Sequence, residues 1–275
     1  MIGLFSVTLK ALDRVDVPAH AGEAAHGLLF RLIQSEDRAL ASSIHSAGIK
    51  PFSLWVHGKS PSRDGAVLKR GESLRLTVGT LSAPLTRCLS TSLAVHMAEK
   101  KGVLLGRGRL EIAAVLPTGR KAPGLYRVSD YSDPSLLAPA RSVYRLDFRT
   151  PTAFKMGDAY YPFCDPGLVL SSLNRRWNAF SPDQLPELTA DDWRRALRLV
   201  RFRGRTKLFR LKAGEIPGFV GCAWISLADA SKKDSARRLL GLASAAGVGI
   251  KTGMGMGQVR VFAGEGTDRN PEKGL

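Results

Sequence analysis

Two side chains able to act on a phosphodiester stand close together near the start of the sequence, His45 and Lys50. Imidazole can give or take a proton because it titrates near neutral pH. An ammonium can stabilise charge developing on a phosphorane-like transition state. Leu40, Ala41 and Ile44 recur at helical spacing, with Ser35 placed to cap that helix and Gly48 placed to end it. His45 therefore falls in the last turn, where carbonyl oxygens and the negative end of the helix dipole favour a cation. Lys50 follows in one short loop before Pro51 opens the extended run Phe52 to Gly58. Taken alone, such a histidine is more often a satisfied helix-end residue than a catalyst.

A second stretch, Ala245 to Val261, carries Gly247, Gly249, Gly253, Gly255 and Gly257 between an amphipathic helix, Asp234 to Ala246, and a short strand, Val259 to Phe262. The usual glycine-rich nucleotide sites need the strand first and hold phosphate at the start of the following helix. Here the order is reversed, and neither a dinucleotide fingerprint nor a Walker loop fits the spacing. What remains is a loop without Cβ atoms that lets another backbone approach, offers N–H groups to anions, and adds Lys251 and Thr252. Such a loop suits a polyanion better than a single nucleotide, although a merely structural glycine turn has the same composition.

The whole chain is built for an anionic partner. Among its 275 residues, 41 Lys and Arg against 24 Asp and Glu leave a formal charge of +17, and nucleic acid is the commonest partner of so basic a protein. The densest stretch runs from Arg198 to Lys212. In an extended conformation Arg201, Arg203, Arg205 and Lys207 share one face, with Val200, Phe202 and Leu208 on the other. Four successive cations on one face read as a ribbon that contacts phosphates. The three cysteines, Cys88, Cys164 and Cys222, are scattered and odd in number, which indicates buried thiols in a reducing cytoplasm rather than disulfides or a zinc site. The run Ile2 to Leu12 reads as a strand rather than a signal peptide, and no apolar run is long enough to span a membrane.

The elements that must position these groups follow from the periodicity. After the first strand come a helix from about Ala21 to Ile33, the helix bearing His45, the strand from Phe52, a strand over Glu72 to Leu81, a helix from Pro84 through Ala98, and a strand over Val103 to Val115. That is a β-α-β-β-α-β order. The Pro, Gly, Ser and Asp content of Pro117 to Pro139 marks a boundary. Beyond it, a strand over Tyr144 to Arg149, a helix opened by Asp165-Pro166, the basic strand, a strand over Phe219 to Leu227, the helix and the last strand repeat the order. This element order, taken together with the family resemblance that follows, gives the expected fold as α+β, two tandem ferredoxin-like domains over residues 1–120 and 141–265, with a linker at 121–140 and an unstructured tail at 266–275.

The sequence resembles the repeat-associated RAMP superfamily of CRISPR-associated endoribonucleases that process precursor CRISPR RNA. The glycine-rich signature falls on Gly247-Val248-Gly249, Lys251-Thr252, Gly255-Met256-Gly257 and Val259. The histidine segment falls on Ile44-His45-Ser46-Ala47-Gly48-Ile49-Lys50-Pro51-Phe52. The resemblance implies a nuclease without metal or cofactor, with His45 moving a proton, Lys50 supporting it and precursor repeat RNA as partner. Attack by a ribose 2′-OH would then yield a 2′,3′-cyclic phosphate, or the 3′-phosphate formed from it, and a 5′-OH. Well-known members complete the site with a tyrosine on the preceding helix. Its position here is Phe30, which leaves His26, Arg31 and Ser46 as substitutes and keeps open a second reading, a non-catalytic RNA-binding subunit of a CRISPR ribonucleoprotein complex. An unrelated basic RNA or DNA chaperone is a third.

Overall fold

The computed structural model describes residues 1–57, 65–116 and 127–264. The first unit runs β1 (Ile2–Ala11), β2 (Val15–Val17), α1 (Ala21–Glu36), α2 (Arg38–Ser46), β3 (Phe52–His57), β4 (Ala66–Leu68), β5 (Ser73–Thr80), α3 (Ala83–Ala98), β6 (Gly102–Leu105) and β7 (Gly108–Leu116). The chain continues through β8 (Arg127–Ser129) into the second unit. That unit comprises β9 (Val143–Thr152), β10 (Phe154–Met156), β11 (Ala159–Tyr161), α4 (Pro166–Phe180), α5 (Ala190–Ala196), β12 (Leu197–Leu211), β13 (Gly214–Leu227), α6 (Lys233–Ala246) and β14 (Val259–Ala263).

The two main sheets have the same strand order. The first reads β3-β5-β1-β7-β6 and the second β12-β13-β9-β14, all neighbours antiparallel. In each, the third strand of the repeat lies between the first and second, and the fourth flanks the first. The expected tandem ferredoxin-like arrangement is thus present, with β6 as an additional edge strand. The stretch expected as one strand over Val103 to Val115 is a hairpin, because Gly106 takes φ +63° and turns β6 back as β7.

Strand β1 shows how the two units are joined. Side chains alternate across a strand, and Phe5, Val7 and Leu9 enter the core beneath α1 and α3 while Ile2 and Leu4 join the core of the second unit. Both faces of this strand are therefore apolar. The connecting stretch is also drawn in: β8 pairs with the start of β1, and the buried Tyr131 donates its hydroxyl to the Leu81 carbonyl at 2.8 Å. Residues 117–126, which include the first part of the expected linker, and the expected tail at 266–275 lie outside the described residues, as does the turn at 58–64.

Two local details differ from expectation. Helix α2 is capped by Asp37, whose carboxylate accepts from the Leu40 amide at 2.8 Å, whereas the Ser35 hydroxyl donates back to the Leu32 carbonyl within α1. Gly48 does not end α2 in a left-handed turn, since the chain leaves the helix extended at Ala47 with φ −61° and ψ 134°. The reason lies in Lys50.

Candidate functional site

Lys50 reaches back to the end of α2. Its Nζ donates to the carbonyl oxygens of Ile44 at 2.9 Å, His45 at 2.5 Å and Ala47 at 2.8 Å. An ammonium has three protons to donate, so all are engaged in closing the helix. These contacts fix the turn that carries His45. The His45 side chain itself is exposed.

Behind His45 lies a strip of rings contributed by α1 and β3. Phe30 meets the His45 ring edge-on at 5.8 Å, the His26 ring at 4.8 Å and Phe52 at 6.0 Å between centroids. His26 and Phe30 are one helical turn apart, which puts both on the same face of α1. Of the three substitutes for the missing hydroxyl, the structure brings His26 here. Arg31 instead donates to the Leu104 carbonyl on β6, and the Ser46 hydroxyl donates to carbonyls of its own helix.

His26 also touches the glycine loop. Its Nδ1 lies 2.9 Å from the Gly253 carbonyl oxygen. A carbonyl can only accept, so Nδ1 carries the proton and Nε2 is the basic position of the neutral ring. Burial pushes the His26 pKa below the ordinary imidazole value, the Gly253 carbonyl opposing it and the charges of Lys50 and His45 assisting. The neutral form is the favoured one at neutral pH.

The glycine loop is built differently from the expectation of free amides. Gly247, Gly249, Gly253, Gly255, Gly257 and Thr252 are buried, and Lys251 is the exposed residue of the set. Val248 donates to the Gly257 carbonyl, Gly249 to the Ser172 hydroxyl, Ile250 to the Ala153 carbonyl and Gly257 to the Pro151 carbonyl, so these amides serve the fold and not an incoming anion. Gly257 illustrates why side chains are excluded: at φ +69°, an added Cβ would stand 1.9 Å from the Val248 oxygen. The amides of Lys251, Thr252 and Gly253, at the single 3-10 turn Thr252–Met254, are not used in this way. Ser172 and Arg176, one turn apart on α4, hold the loop from below, Arg176 donating to the Thr252 hydroxyl.

The same 3-10 turn borders a cleft of about 670 Å³ between the units. Its walls include Gly22, Trp55, His57, Arg149, Arg205, Lys207, Phe209, Met254 and Gly255. Neither His45 nor Lys50 lines it; the His45 ring is linked to the loop through Phe30 and His26. Arg201, Arg203, Arg205 and Lys207 are all exposed on β12 as expected, but so are Val200, Phe202 and Leu208. The β12–β13 hairpin runs past the end of β9, and its outer end is held by a small core in which Ile216 and Met256 are buried and Phe209 and Leu211 pack against them. Arg201 lies over the Trp224 ring at 4.0 Å, whereas Arg205 and Lys207 turn into the cleft. Among the described residues no group of three or more His, Cys, Asp or Glu side chains gathers as a metal site, and no helix is long and apolar enough to cross a membrane.

A family model for the CRISPR-associated endoribonuclease Cas6 matches residues 146–259, from β9 to the glycine loop. A Mycobacterium tuberculosis protein named CRISPR-associated endoribonuclease Cas6 is 35% identical over 253 residues, covering 91% of this chain and 74% of that protein. The chain belongs to the Cas6 family. A solved Cas6 (TTHB231) product complex superposes with a TM-score of 0.79 at 30% identity, over 95% of this chain and 100% of the other. An RAMP protein described as binding different RNA substrates shares the fold at 11% identity with a TM-score of 0.60, over 94% of this chain and 99% of the other.

Within this Cas6-family chain, sequence reasoning undervalued His26. The available signal was its position four residues before Phe30 on the apolar side of α1. Its contact with Gly253, 227 positions away, has no trace in local periodicity.

Proposed function

We propose that the protein is an endoribonuclease that cuts the repeat RNA of precursor CRISPR transcripts without a metal ion, using His26 and His45 as a base and acid pair. The observation that carries this reading is the His45–Phe30–His26 strip with Nδ1 of His26 held by the Gly253 carbonyl. Neutral His26 takes the proton from a ribose 2′-OH at Nε2 as that oxygen attacks the adjacent phosphorus. The bond from phosphorus to the 5′ oxygen breaks, and protonated His45 supplies the proton to the leaving oxygen. The products are a 2′,3′-cyclic phosphate and a 5′-OH. Phe30 offers no proton and serves as an apolar floor between the two imidazoles, while Lys50 keeps the His45 turn rigid. The Cas6 membership and the likeness to a Cas6 product complex support repeat RNA as substrate.

The test is single-turnover cleavage of labelled repeat RNA in EDTA. A positioned acid or base contributes about a hundredfold to ten-thousandfold, so His45→Ala is expected to lose at least about a hundredfold in rate while still binding. A variant that cuts within about threefold of the parent rejects the assignment. Tight binding without cleavage by the parent protein would favour the non-catalytic subunit, the reading that a phenylalanine at position 30 keeps in view.

A further inference from the structure

The β12–β13 hairpin ends on the first unit, at the start of the helix that carries His26. Its turn is Lys212–Ala213, between the paired Leu211 and Gly214. The Lys212 amide, outside the ladder of the hairpin, donates to the Glu23 carboxylate at 2.6 Å. Glu23 stands in the first turn of α1, where His20 at the N-cap makes no side-chain hydrogen bond to the helix. The usual local device for fixing a helix start is therefore missing, and the hairpin tip holds that turn from outside. Phe209 makes a second joint. It shares a face of β12 with Arg205 and Lys207, and all three line the cleft. An added Cβ at Gly22 would stand 3.1 Å from its Cζ, and one at Gly255 would stand 3.7 Å from the same atom. The tip of the ring thus lies between α1 and the glycine loop, at two places where the backbone carries no side chain. Gly22 is one helical turn before His26, and Gly255 closely follows Gly253, whose carbonyl lies 2.9 Å from His26 Nδ1. The ring therefore bears on both partners of that hydrogen bond. Behind it, the buried Ile216 and Met256 tie the end of the hairpin to the loop.

We infer that Glu23 and Phe209 are positioning residues for the cleavage: they clamp the end of the β12–β13 hairpin onto α1 and the glycine loop, and so fix where His26 presents Nε2. The inference rests on the proposed reading of His26 as the base and adds the two groups that hold it in place. Neither group touches the reacting atoms. The Gly253 carbonyl sets the tautomer of the ring, while the clamp sets the separation of helix and loop that this hydrogen bond spans. Such separations matter to rate, since a misplacement of about 1 Å can cost about a hundredfold.

The experiment compares the parent with Glu23→Ala, Glu23→Gln and Phe209→Ala in single-turnover cleavage of labelled repeat RNA. Glu23→Ala and Phe209→Ala are expected to lower the maximal rate about tenfold to a hundredfold. The protein concentration that gives half that rate should change by less than about threefold, because RNA binding is untouched. Glu23→Gln keeps an oxygen acceptor for the Lys212 amide and should stay within about threefold of the parent. In a His26→Asn background neither alanine variant should slow cleavage further, since groups that act through one side chain are not additive. Additive losses make the two residues general struts of the fold and overturn the inference. So does a Glu23→Gln protein as slow as Glu23→Ala, which assigns the effect to charge, or a loss confined to the half-maximal concentration. If Phe209→Ala does not fold, the two Glu23 variants decide. Amide hydrogen exchange separates the clamp from the function it serves. The Met254 and Gly255 amides, bonded to the Lys251 and Thr252 carbonyls, should exchange about tenfold faster in both alanine variants, and unchanged exchange overturns the clamp. Were the parent not to cut, or His26→Asn to cut as fast as the parent, the proposed function would fall, and the exchange rates would still decide whether the hairpin holds the loop.

Discussion

At the scale of single residues, the site depends on which protonation states the surroundings favour. The burial that lowers the His26 pKa disfavours its charged form. Two consequences share a sign. A base must be neutral, so the cleavage rate should rise with pH through a limb centred below the ordinary imidazole value of about 6.5, and His26→Asn should abolish that limb in single-turnover profiles. A limb at or above that value in the parent would count against His26 as the base. Stability moves the same way: the unfolded chain takes up the proton first as pH falls below its ordinary value, so His26 lowers stability progressively down through its folded pKa.

At the scale of elements, three devices bring distant groups together: the Asp37 cap and Lys50 closure that define α2, the α4 face that holds the glycine loop, and the projecting β12–β13 hairpin. Strand β12 carries the exposed cations Arg201, Arg203, Arg205 and Lys207, so its expected contribution is electrostatic. Arg203→Gln combined with Arg205→Gln should weaken RNA binding and flatten its salt dependence by about 0.7 to 0.9 for each phosphate contact removed. Equal slopes for parent and double variant would rule out the ribbon as a phosphate contact. The exposed Phe202 packs edge-on to Phe163 at 5.3 Å between centroids, in the part of β12 that pairs with β13.

At the scale of the whole molecule, the site exists because two units of like topology are locked together at their glycines. An added Cβ at Gly22 would stand 1.7 Å from the Met254 carbonyl oxygen, and one at Gly79 would stand 1.9 Å from that of Ala245. The Ser53 hydroxyl also donates to the Ala245 carbonyl, and the Lys212 amide to the Glu23 carboxylate. Gly22→Ala should therefore push the units apart and cost about 1–3 kcal/mol of stability, as overpacking does, with a parallel loss of cleavage. Gly27 lies on the same helix and meets little but the end of the Arg31 side chain at 3.7 Å. Gly27→Ala should leave stability unchanged or raise it by up to about 1 kcal/mol. Urea unfolding of the two variants distinguishes docking at Gly22 from a general effect of alanine in α1.

The sequence alone determined the order of elements, their repetition and the placement of His45 in a final helical turn, because periodicity and turn chemistry are local. It also marked the basic ribbon and the glycine loop, whose composition is distinctive whatever they face. The tertiary structure alone decided which chemistry each residue is free to do. The ammonium of Lys50 is committed to three carbonyls, most loop amides are committed to the fold, and His26 gains its tautomer from a carbonyl more than two hundred positions away. Those are questions of which donor meets which acceptor, and chain folding brings such partners together from segments whose local patterns carry no record of one another.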